Sequence, residues 1–167
     1  MANPLYGQNK NDADMALYGR GKSNVILSGG GTTVLSANDS GSVCIFDTAA
    51  ASQFTLPDPE LGMKFTFMWT IINTADHVIQ ASTDDHGFLG GVVMVSTTAD
   101  ETNSFAAAVD GANDFITLNA TTSGGAAAGS IIEIVAILDA SAASSWAAHG
   151  TLLASGAMIT PFGDTQI

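Results

Sequence analysis

The stretch Phe65-Thr66-Phe67-Met68-Trp69-Thr70-Ile71 alternates along an extended chain so that Phe65, Phe67, Trp69 and Ile71 share one face. This is the clearest period-two signal in the sequence, and it predicts a central strand over 64–73. Shorter β-prone runs are broken by Gly, Asn, Asp or Pro about every ten residues. They predict further strands at 24–27, 32–35, 42–47, 52–56, 77–81, 91–96, 104–109, 115–120 and 130–137, with weaker ones at 145–152 and 157–160. The 130–137 run is apolar apart from Glu133, the pattern of a strand covered on both faces. The Ala-rich stretch 140–148 is the one helix-like segment, weakened by Ser141, Ser144 and Ser145.

The connections carry information of their own. Pro57 and Pro59 in Leu56-Pro57-Asp58-Pro59-Glu60-Leu61-Gly62 are incompatible with a central ladder and predict a rigid turn. Asp110-Gly111 and Ser123-Gly124-Gly125 sit where hairpin turns would join neighbouring runs. A dozen short strands without crossover helices predict an all-β fold, an antiparallel β-sandwich or jelly-roll-like body over 25–167. Residues 1–24 show neither the helical nor the strand period and are rich in Asn, Asp and Gly, so they read as an extended N-terminal arm.

Length and composition narrow the function classes. A chain of 167 residues suits one domain with its own core. Apolar residues make up 46%, yet charged residues only 12%, so the surface is built from Ser, Thr, Asn, Gly and Ala and leaves room for packing against copies or partners. The net charge is −12, and no Lys or Arg follows Lys64. Such a body repels nucleic acid and anionic membranes. No apolar run is long enough for a spanning helix, and the first ten residues lack the apolar centre of a secretion signal, which points to synthesis in a cytoplasm. The single cysteine, Cys44, lies in an apolar run and reads as a small buried hydrophobe.

Candidate chemistry is sparse. Ala16-Leu17-Tyr18-Gly19-Arg20-Gly21-Lys22-Ser23 is one residue from a phosphate-binding loop, but it lacks the leading Gly and has no strand before it. Asp84-Asp85-His86 and Asp76-His77 carry metal-ligand types within turn-like segments, where a solvated turn is the simpler reading. No Ser sits in a Gly-x-Ser-x-Gly elbow, and a body without cations is poorly equipped to stabilise developing negative charge. The chain therefore reads as a non-enzyme, with no cofactor and no metal.

The cadence of the body is more telling. Leu35-Ser36-Ala37-Asn38-Asp39-Ser40-Gly41, then Leu56-Pro57-Asp58-Pro59-Glu60-Leu61-Gly62-Met63-Lys64-Phe65-Thr66-Phe67, then Asp114-Phe115-Ile116-Thr117-Leu118, Gly129-Ser130-Ile131-Ile132-Glu133-Ile134-Val135 and a late Trp146 follow one another. This order resembles small β-rich virion proteins of tailed bacteriophages, notably those of marine and cyanobacterial phages, over about residues 33–150. The family's usual Asp-Gly-x-x-Trp turn is replaced here by Asp139-Ala-Ser-Ala-Ala-Ser-Ser-Trp146. The resemblance implies a capsid decoration, or cement, protein: a homotrimer on the outer surface of the head, bound to the major capsid protein and made in the host cytoplasm. The alternative it leaves open is a tail-fibre or receptor-binding protein that holds a glycan through Phe88, Phe105 or Trp146.

The arm fits the first of these. Leu5-Tyr6-Gly7-Gln8-Asn9-Lys10 returns as Leu17-Tyr18-Gly19-Arg20-Gly21-Lys22, and the two phrases hold both tyrosines and three of the four cations. Tyr6 and Tyr18 are contacts of low entropy cost, and Lys10, Arg20 and Lys22 suit acidic groups on a partner. Together with Leu5 and Leu17 they are the expected capsid-binding residues.

Overall fold

The computed structural model describes residues 24–108, 113–138 and 144–164, which form twelve strands, one 3₁₀ turn at Ala37–Asp39 and no α-helix. The strands are β1 (Val25–Leu27), β2 (Gly31–Val34), β3 (Val43–Phe46), β4 (Ser52–Thr55), β5 (Lys64–Trp69) and β6 (His77–Gln80). They continue as β7 (Gly87–Ser96), β8 (Thr102–Ala106), β9 (Phe115–Leu118), β10 (Ile131–Ala136), β11 (Ser144–Ala154) and β12 (Phe162–Gly163). The fold is all-β. A seven-stranded sheet runs β1-β3-β5-β10-β11-β7-β8, and a five-stranded sheet runs β12-β9-β6-β4-β2.

Both sheets are mixed, which corrects the expectation of antiparallel pairing. The first six strands alternate between sheets: β1, β3 and β5 are parallel neighbours in one, β2, β4 and β6 in the other. The chain therefore winds round the core three times in coils of about 20 residues, each leaving one strand in each sheet. The second half adds β10 antiparallel to β5 and β11, β11 parallel to β7, and β9 antiparallel to β6 and β12. A Gly-rich turn after a strand serves equally as a hairpin or as a corner into the opposite sheet. Ser123-Gly124-Gly125 is such a corner, between β9 and β10, rather than the expected hairpin. Asp110-Gly111 lies outside the described residues.

The coils are stapled at their corners. Gly29, Gly30 and Gly31 all have positive φ, a run that only glycine adopts at low cost. Asp47, one coil on, accepts hydrogen bonds from the Gly29 N–H (2.9 Å) and the Ser28 hydroxyl (3.0 Å). The Gly29 bond above all holds the Asp47 carboxyl below its ordinary range.

Phe65, Phe67 and Trp69 of β5 are buried as predicted, and β5 lies between β3 and β10. Ile71 is not: it is 36% exposed, because the strand ends at Trp69 and the chain turns through a corner. That corner is plugged by buried Asn73, whose amide donates to the carbonyls of Ala75 (2.8 Å) and Leu118 (2.7 Å). Across the core, Phe46 meets Phe54 edge-on at 5.0 Å and Phe54 lies 5.6 Å from Phe67, so aromatic rings join the two sheets.

Three further expectations change. β10 is not covered on both faces among the described residues: Ile132, Ile134 and Ala136 are buried, but Ile131 is 37% exposed and Glu133 and Val135 are part-exposed. Of the helix-like stretch, 140–143 lies outside the described residues and 144–148 opens β11, the longest strand, where pairing with β10 on one side and β7 on the other overrides a weak helical preference. The last strand is Phe162–Gly163 rather than 157–160.

Candidate functional site

Leu5, Tyr6, Lys10, Leu17, Tyr18, Arg20 and Lys22 all lie outside the described residues, as does the phosphate-loop-like segment. What is described is the base of the arm: the Asn24 carbonyl accepts from the Val43 N–H at 2.8 Å, next to β1 at one edge of the seven-stranded sheet.

Within the body, the side chains with reactive potential are tied into structure. Cys44 is fully buried, and burial, with a smaller effect of the Asp39 charge, pushes its thiol up to about 12, so it holds its proton at neutral pH. His86 is not the solvated turn residue expected. It is 6% exposed, and its Nδ1 lies 2.8 Å from the Ser82 hydroxyl and 3.2 Å from that of Thr83, while Asp84 and Asp85 point to solvent. Among the described residues no three His, Cys, Asp or Glu side chains come together as a metal site.

His77 opens β6, as expected of the 77–81 run, but it is a core residue and not the solvated position expected of the Asp76-His77 pair. Its ring stacks on Phe46 at 4.7 Å. Nδ1 accepts from the Trp69 indole N–H at 3.1 Å, so the ring proton sits on Nε2 and is donated to the Ala50 carbonyl at 3.0 Å. Burial lowers the affinity of His77 for a second proton, against the pull of the Ala50 and Thr48 carbonyls and Asp76. A proton on Nδ1 would also set N–H against N–H. The unfolded chain therefore takes up this proton more readily, and stability present above about pH 6.5 is lost as pH falls through the folded value. Urea unfolding at pH 7.5 and 5.5 is expected to show a larger loss of midpoint in the wild type than in His77→Gln, which supplies the same donor and acceptor without a titratable ring. Equal losses would remove His77 from this role.

The two outer sheet faces are unlike. On the five-stranded sheet the outward rows are Thr32, Gln53, Val78, Thr117 and Val34, Thr55, Gln80, Phe115, with the Gln53 amide donating to Gln80 and Thr55. On the seven-stranded sheet one row runs Leu27, Ile45, Met68, Ile131, Thr151, Val93, and the next begins Val25, Val43. Val25, Leu27, Val93 and Ile131 are each more than a third exposed. Of this apolar outer face the sequence reading had only the 130–137 run, expected to be covered on both sides. The rest of its signal was present in the unbroken runs Val25-Ile26-Leu27 and Val43-Cys44-Ile45-Phe46, which leave no polar positions for an outer side.

Charge on that face is confined to one cluster. Glu133 contacts Lys64, and the His149 Nε2 lies 3.4 Å from its other oxygen. Glu133 is the only carboxylate within a strand among the described residues; the rest are in turns and at strand ends.

The aromatic residues expected for a glycan site are placed elsewhere. Phe88 and Trp146 are fully buried, and Phe105 is part-buried against the core. No protein-family model, curated protein or solved structure matches this chain.

Proposed function

We propose that this chain is a bacteriophage capsid decoration protein, a non-enzymatic homotrimer that binds the outer surface of the major capsid protein lattice and stabilises the head. The observation that carries the reading is the apolar outer face of the seven-stranded sheet. A body that commits His77, His86 and Cys44 to packing while turning Val25, Leu27, Val93 and Ile131 outward is built for contact rather than chemistry. A sandwich-like β body also supplies the stiffness a clamp between capsid subunits requires. In this reading the arm, through Leu5, Tyr6, Lys10, Leu17, Tyr18, Arg20 and Lys22, lies across the capsid protein and orders on contact. The protein is synthesised in the host cytoplasm and resides on the virion surface, with no role for nucleic acid, membrane or cofactor.

The test is co-sedimentation of the full chain with capsids stripped of it. Tyr6→Ala combined with Tyr18→Ala is expected to weaken binding by about thirtyfold or more, since tyrosines at binding hot spots contribute about 2 kcal/mol or more. Raised salt should weaken wild-type binding far less, because exposed ion pairs contribute about 0–1 kcal/mol each. Unchanged sedimentation of the double variant would refute docking by the arm. Failure of the wild type to bind any capsid would refute the function.

A further inference from the structure

We infer that the outer face of the seven-stranded sheet is the surface through which copies of this chain associate. The inference rests on the oligomeric part of the reading above and not on the capsid. Three observations carry it.

The first is cover. β1, β3 and β5 are parallel, and parallel strands occur almost wholly where both faces are buried. Here the inner face is the core, while Leu27, Ile45, Met68, Ile131 and Val93 form one row across the outer face, continued at its side by Val25 and Val43. The five-stranded sheet is also parallel through β2, β4 and β6, but its outward rows are mostly polar, with Thr32, Gln53, Thr55, Gln80 and Thr117 set among Val34, Val78 and Phe115, so composition and not strand direction distinguishes the two faces.

The second is charge, and it selects the occupant. A chain of net charge −12 repels its own copies wherever its turn carboxylates point. On this face the one carboxylate, Glu133, is neutralised by Lys64, the only Lys or Arg after residue 22. The single cation of the body thus cancels the single carboxylate in its strands. A strongly basic partner would be drawn to the turns instead. A second copy brings the same neutral, apolar face.

The third is area. Seven strands about 4.8 Å apart and about six residues long present roughly 30 by 20 Å, so turning this face toward the three-fold axis of the trimer removes on the order of 600 Å² from each copy, about 1,200 Å² for every two copies. That reaches the lower bound for a specific interface.

The experiment uses the full chain, with mass read by light scattering at micromolar concentration and folding by circular dichroism and thermal melting. Ile131→Glu puts a charge on the central strand of the face and Val93→Glu puts one on β7, two strands away in the same row. Val34→Glu, 73% exposed on the edge of the other sheet, is the control. The wild type is expected to be an oligomer, both face variants to fold yet associate about a hundredfold more weakly or worse, and Val34→Glu to keep the wild-type mass. A monomeric wild type overturns the inference, as does an unchanged mass in either folded face variant. Should a variant misfold, hydroxyl-radical footprinting of the wild type decides. Met68 and Ile131 should be protected above the dissociation concentration and labelled below it, and equal labelling overturns the inference. Capsid sedimentation of the same samples separates the two readings: an oligomer that ignores capsids removes the capsid and leaves this interface.

Discussion

Phe67→Ala is expected to lower the folding free energy by about 3–5 kcal/mol and the melting midpoint by about 10 °C. Phe67 has no exposed surface, lies in β5 between Cys44 and Ile132, and reaches across to Phe54 of the opposite sheet. Truncation therefore removes the transfer free energy of a whole ring and leaves a cavity whose walls are backbone-paired strands with little freedom to collapse. Leu61→Ala, at a 75% exposed turn position, is expected to change stability by less than about 0.5 kcal/mol. Urea denaturation of the two variants against wild type checks both. Similar losses would mean that β5 is not the centre of the core.

Gly90→Ala is expected to cost about 3–5 kcal/mol by a different route. Gly90 has φ +90°, and a Cβ there would sit 2.4 Å from the carbonyl oxygen of Ala148 on the neighbouring strand. The obstruction is backbone, so no rotamer change relieves it; β7 and β11, the two longest strands, would have to separate. Gly62→Ala isolates the conformational part. Gly62 has nearly the same φ, +89°, with nothing within 4 Å of a Cβ, so it should lose only about 1–2 kcal/mol. Thermal melts of the pair measure the difference. Equal losses would show that backbone conformation alone, and not strand separation, sets the cost.

Gly90 also marks a limit of the sequence reading. β7 was expected to start only at residue 91; in the fold Gly90 and Gly91 allow close approach of the neighbouring strands, and the strand begins at Gly87. Apart from the last strand, found at Phe162–Gly163 and not at 157–160, strand existence was legible, because alternation in 64–69 and the Pro57/Pro59 turn are local signals that local sequence carries. Pairing direction was not. Val25 pairs with Val43 across a whole coil, and nothing in either segment distinguishes a corner between sheets from a hairpin within one. The outer face was half legible: Ser130-Ile131-Ile132-Glu133-Ile134-Val135 was read as needing cover on both sides, but the molecule itself leaves Ile131 open. His77 escaped for a related reason, since its place beside Trp69 and Phe46 is set by the winding and not by its neighbours in sequence.

The winding of the first six strands also bears on how this half can change in length. Each side chain there faces inward or outward according to a period of two, so a one-residue insertion after Val43 in β3 would turn both Cys44 and Phe46 out of the core. Insertion or loss of a complete coil disturbs nothing of that kind, because each coil stacks only on its neighbours. Length in this half is therefore quantised in units of about 20 residues, while the interlocked second half, where β10 joins β5 to β11, has no such freedom. Descendants of this sequence that differ in size should differ by whole coils at the N-terminal edge, with the body beyond β5 unchanged.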